Sequence, residues 1–66
     1  MDDMEYLGNI DLLHESLYAI ANKKFEYAKE LLDLCEIEKA DEAIDFLDKK
    51  KPEEAENVIK QILKEF

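Results

Sequence analysis

The stretch LYAIANKKFEYAKELLDLC, residues 17–35, decides the fold, because the chain states its pattern twice. Displaced by 27 positions, residues 13–35 lie over residues 40–62. Apolar then meets apolar at Leu13/Ala40, Leu17/Ile44, Ala19/Phe46, Ile20/Leu47, Ala28/Ala55, Leu31/Val58, Leu32/Ile59 and Cys35/Ile62. The Lys23-Lys24 pair lies over Lys50-Lys51, and Glu26-x-Ala28 lies over Glu53-x-Ala55. Each copy reads as helix, short basic turn, helix. Such an αα-hairpin carries an apolar stripe that only a neighbouring hairpin can cover. The expected fold is all-α: two stacked antiparallel helical hairpins forming one domain over residues 1–66. The first hairpin spans about residues 3–36 and the second about 38–66.

Outward from that stretch, Ile10, Leu13, Leu17, Ile20 and Ala21 predict the buried stripe of the first helix. That helix is expected to start near Asp3, with Gly8 tolerated inside it at about 1 kcal/mol. Otherwise Gly8 ends a short turn, and Asn9 or Asp11 caps the helix after it. Asn22-Lys23-Lys24 breaks the period, and lysines there complement the exposed carbonyls of a helix end. The second helix opens at Phe25 and buries Ala28, Leu31, Leu32 and Cys35. The next clear stripe is Ala40, Ala43, Ile44 and Leu47, out of phase with the one before it. Two arrangements satisfy this slip: a break within residues 36–39, giving four helices, which the repeat favours, or alternatively one long middle helix from Phe25 to about Lys50, giving three. Pro52, followed by Glu53 and Glu54, marks the start of the last helix. Its stripe is Ala55, Val58, Ile59, Ile62 and Leu63, with Phe66 closing the end.

The junction Phe25-Glu26-Tyr27-Ala28 and, except for its missing aromatic, Pro52-Glu53-Glu54-Ala55 resemble those of a tetratricopeptide-type hairpin, where an aromatic and two polar residues lead to an alanine. Cys35 and Ile62 fall seven residues after those alanines, where that family places a second small residue, and Cys35 meets this while Ile62 does not. The family's Leu-Gly pair is replaced by Glu15-Ser16 and Glu42-Ala43, and the period of 27 is shorter than the family's unit. The resemblance implies peptide or protein binding rather than catalysis.

Composition narrows the function. A chain of 66 residues buries only about 60% of the surface its unfolded form exposes, so partner binding or homodimerisation would add usefully to its stability. The formal charge is −9, from 18 acids against nine lysines and no arginine. Without the guanidinium fork that reads phosphates and base edges, and with a net negative charge, direct nucleic-acid binding is disfavoured. Anionic membrane surfaces are disfavoured for the same reason. A protein partner with a basic surface is the complement. Cys35 is the only cysteine, so a reducing compartment is expected. The opening MDDMEYLG lacks the basic-then-apolar order of a secretory signal, and the expected location is the cytoplasm.

The inventory for chemistry is short. Ser16 and His14 stand two apart on a helix and point away from each other. Cys35 lies on an apolar stripe, where a thiol is a small inert hydrophobe. His14 shares a helix face with Asp11 and Tyr18, as a hydrogen-bonded patch, a pH-sensitive contact or a weak metal site, and supplies too few ligands for a structural zinc. Asp2, Asp3 and Glu5 lack the glycine-centred alternation of a calcium loop. No catalytic residue, metal site or cofactor is expected.

The informative feature is acidic. Residues 33–48 hold seven carboxylates (Asp33, Glu36, Glu38, Asp41, Glu42, Asp45, Asp48) against the single Lys39. Glu38, Asp41, Asp45 and Asp48 recur at steps of 3, 4 and 3 and so line one helix face over about 15 Å. Glu38, Asp41, Glu42, Asp45 and Asp48 are therefore the candidate partner-binding residues. Tyr18 and Tyr27, on either side of the first basic turn, are candidate anchors on a second surface. The expected function is a small acidic protein-binding module that regulates or inhibits its partner. The alternative is a nucleic-acid mimic of the anti-CRISPR or anti-restriction type, with carboxylates about 5–6 Å apart standing in for phosphates. An enzyme or metal-binding subunit is the reading that the inventory supports least.

Overall fold

A computed structural model of the chain describes residues 8–65, and among them the fold is all-α. The helices are α1 (Asn9–Ala21), α2 (Phe25–Leu34), α3 (Glu38–Asp48) and α4 (Pro52–Glu65). α1 pairs with α2 and α3 with α4 across short turns, α2 packs on α3, and α1 packs on α4. The four helices thus form a ring around one core. The expected helix start near Asp3, the acids Asp2, Asp3 and Glu5, and the closing Phe66 lie outside the described residues. Gly8 sits in extended backbone immediately before α1 as its cap, so it is not held inside a helix, and Asn9 and Asp11 lie within α1 instead of capping it.

Leu13, Leu32 and Ile59 are the largest enclosed apolar side chains. The repeat is legible in the residues that surround them. Small residues are fully enclosed at matching positions of the two hairpins: Ser16 and Ala43 on the first helix of each, Ala28 and Ala55 on the second. Small side chains at facing positions let paired helices approach closely. Ser16 is tolerated there because its hydroxyl donates to the Leu13 carbonyl at 2.7 Å, leaving no unpaired polar atom.

One expected stripe is corrected. On α1 the buried set is Leu12, Leu13, Ser16, Ala19 and Ile20, whereas Ile10 is 45% exposed, Ala21 is exposed and Leu17 is half-buried. α1 is gripped by both α2 and α4, so the arc it buries is wider than one seam and is rotated toward Leu12 and Ala19. Hydropathy alone placed Ser16 on the wrong side of that arc.

The basic turns repeat at the level of the backbone. Lys23 N–H donates to the Ile20 carbonyl at 3.0 Å and Lys24 N–H to the Ala19 carbonyl at 2.8 Å. Twenty-seven residues on, Lys50 N–H donates to Leu47 at 3.0 Å and Lys51 N–H to Phe46 at 2.8 Å. This pair of bonds is the Schellman motif, which closes a helix by placing one residue in the left-handed region. That residue is Lys23 (φ 62°) in the first turn and Lys50 (φ 61°) in the second. Glycine usually holds this position because a Cβ there meets the following carbonyl.

Between the hairpins the chain breaks without glycine or proline, which decides for four helices over three. Cys35 and Ile37 are both extended. Continuing α2 would have carried Glu38, Lys39 and Glu42 onto the buried face in place of Ala40, Ala43 and Leu47. Burying those three requires the helix to restart. The connection is fastened to the start of α1, where Glu36 N–H donates to Asn9 Oδ1 at 3.3 Å, and Ile37 packs against the core.

Three substitutions in these elements carry expectations measurable by urea unfolding. Lys23→Gly and Lys50→Gly should each stabilise the fold by about 0.5–1 kcal/mol, the relief of left-handed strain exceeding the added freedom of the unfolded chain. Ser16→Ala should change stability by less than about 0.5 kcal/mol, since it copies Ala43 and leaves no partner unsatisfied.

Candidate functional site

The residues that position the acidic face are those that α3 buries. With Ala40, Ala43 and Leu47 turned to the core, Glu38, Asp41, Glu42 and Asp45 are held outward, and all four are exposed. None of these four makes an ion pair among the described residues. Lys39, the one lysine on α3, reaches away to Glu65 at 3.3 Å. Asp48 differs from its neighbours: Lys29 Nζ meets its Oδ1 at 2.8 Å and Glu26 Oε2 at 3.0 Å. The hydrogen bond from Lys29 to Asp48, then that to Glu26, holds the Lys29 ammonium above its ordinary pKa. Asp48 therefore fastens α3 to α2 more than it extends the free row.

α3 does not carry the acidic surface alone. Glu26, Glu30 and Asp33, at steps of 4 and 3 on α2, line a groove of about 340 Å³ with Lys29, Ile44 and Asp48. The half-buried Ile44 is an apolar spot within this charged rim. The α2 row was visible in the spacing, but only the packing of α2 on α3 joins it to the α3 row. Within the four helices, fourteen carboxylates face four lysines, while the other five lysines all occupy the two hairpin turns.

Tyr18 and Tyr27 are brought together. They line one groove between α1 and α2 with Asp11, His14, Glu15 and Leu31, which has a volume of about 570 Å³. Tyr18 is 70% exposed and Tyr27 47% exposed, so both rings leave much of their area to solvent. The shared face of Asp11, His14 and Tyr18 is thus one wall, and Tyr27 with Leu31 the other.

Cys35 is buried, and its Sγ lies 3.8 Å from the Asn9 carbonyl oxygen. Burial pushes its pKa up, which disfavours the reactive thiolate. Among the described residues no helix is long and apolar enough to cross a membrane. No family model matches the chain, and no curated protein or solved structure matches it either.

The thiol makes a pH prediction. In the unfolded chain Cys35 ionises near pH 9.0, and in the folded chain at a higher pH. Its contribution to stability is therefore complete below pH 9.0 and is lost as pH rises through the folded value. Lys29 behaves with the same sign, but its loss begins only above 10.5. Urea unfolding between pH 9.0 and 10.5 should show stability falling in the wild type, with a shallower fall in Cys35→Ala.

Proposed function

We propose that this chain works by occupancy: it binds a protein with a basic surface through the acidic face of α3 and its continuation on α2, and so regulates or inhibits that partner. The observation that carries the reading is the row Glu38, Asp41, Glu42 and Asp45, exposed and without ion pairs among the described residues. Like charges three and four apart on a helix repel by a few tenths of a kcal/mol per pair. A basic surface relieves that repulsion on contact, speeds association and fixes orientation. Ile44, half-buried between the acidic rows of α2 and α3, offers a point of apolar contact inside the charged rim.

A second reading, nucleic-acid mimicry, draws on the spacing of Glu38, Asp41 and Asp45, whose Cβ atoms stand about 5–6 Å apart as successive helix neighbours. It makes the partner a nucleic-acid-binding protein and requires mutually exclusive binding with DNA or RNA. The tetratricopeptide-like junctions agree with protein binding under either reading.

The test begins with a partner captured from the native cell and then purified. Asp41→Lys combined with Asp45→Lys should weaken its binding on the order of a hundredfold, and salt should weaken the wild type steeply. Binding indifferent to both would remove the proposal. Displacement by a DNA or RNA duplex would favour the mimic, and a ternary complex would exclude it.

A further inference from the structure

We infer that the groove between α1 and α2 seats a single arginine or lysine side chain of the basic partner, an assignment that rests on the proposed function and adds a defined anchor to it. Its two walls offer four apolar surfaces, Leu12 and Leu31 with the rings of Tyr18 and Tyr27, and two carboxylates, Asp11 and Glu15, share the lining with His14. No lysine lines the groove, and α1 contains none. Asp11 and Glu15 have no ion-pair partner among the described residues.

The occupant has to satisfy both kinds of wall. An anion meets two like charges. A purely apolar group would strip water from Asp11 and Glu15 without replacing it. A long side chain with an aliphatic stem and a cationic tip matches the whole lining: the stem covers leucine and ring, and the tip lies over an aromatic face within reach of a carboxylate. Arginine fits best, because its planar guanidinium stacks on a ring and donates to a carboxylate together. Both tyrosines stand on helices, so the backbone of the groove is in place before binding.

The groove is also continuous with the acidic face. Tyr27 and Glu30 are neighbours on α2, and Glu26, Glu30 and Asp33 lead from there toward Ile44 and α3. A basic segment laid across α2 places one side chain between the tyrosines and others against the acidic rows.

The probe is a blocked tripeptide with a central arginine, titrated into the intact chain while the Tyr18 and Tyr27 ring protons are followed by NMR. Saturable shifts of both rings are expected, with a dissociation constant on the order of 1 mM. The counterpart with citrulline, the neutral isostere of arginine, should bind about tenfold more weakly. His14→Lys, which puts a resident ammonium in the lining, should abolish the arginine shifts while circular dichroism stays that of the wild type. Equal binding of the citrulline peptide, unchanged tyrosine rings, or arginine shifts that survive His14→Lys would each overturn the assignment. The purified partner separates this inference from the function it rests on. If Asp41→Lys with Asp45→Lys releases the partner but Tyr18→Ala with Tyr27→Ala does not, the groove is not the anchor and the acidic face stands.

Discussion

A helix can bury only one arc of its surface, and in this chain the phase of that arc changes between Cys35 and Ala40. One straight helix across residues 25–48 would have set Leu31 and Ala40 on opposite faces and left one of them in water. The extended residues Cys35 and Ile37 let both turn inward, and the two hairpins then share a core that neither could close alone. The remaining architecture depends on that restart. It sets α2 beside α3, turns the carboxylates of α3 outward, and brings the acids of α2 alongside them. It also lets α4 return to α1, so that the ring closes with Leu13, Leu32 and Ile59 enclosed.

Charge is sorted by the same geometry. The helices hold an excess of carboxylates, whereas the turns at Lys23-Lys24 and residues 49–51 hold five of the nine lysines. Those lysines stand just beyond the last carbonyls of α1 and α3, where positive charge is favourable. Two of them, Lys23 and Lys50, also adopt the left-handed conformation that closes the helices, at a backbone cost of about 1–2 kcal/mol each. With the turn lysines gathered at the helix ends, the acids along the helix flanks are left without them. Lys29 and Lys39 are the only cations on α2 and α3, and each is engaged with an acid of its own chain.

Much of this was legible in residue order. The displacement by 27 positions located both hairpins, both basic turns and the matching buried residues, since a repeated unit repeats its burial. Pro52 and its two glutamates marked the start of α4. The break after Cys35 was visible as a phase slip and favoured by the repeat, but what fastens it, the packing of Ile37 and the Asn9–Glu36 hydrogen bond, joins residues far apart in sequence. The same limit applies to α1. A hydropathy stripe sees Ser16 as polar and Ile10 as apolar, and it has no access to the local hydrogen bond that buries the first or to the edge position that exposes the second. For the candidate surfaces, the α3 acids were readable from spacing alone. The capture of Asp48 by Lys29 was not, and neither was the meeting of Tyr18 with Tyr27.

Part of the acidic surface adds nothing to the protein's own stability, which is the physical ground for proposing it as a binding face. A small helical core has little stability to spare. Neutral or mixed-sign residues at Glu42 and Asp45 would fold at least as well, since neither stands in the first turn of α3, contributes a buried contact or makes an ion pair among the described residues. The exposed tyrosines obey the same logic, because Tyr18 at 70% exposure covers little of the core. Local choices that work against the fold are most economically explained by an interaction outside it. Here they occur along α3 and in the α1–α2 groove, linked across the acidic row of α2, so the basic partner proposed above would span both.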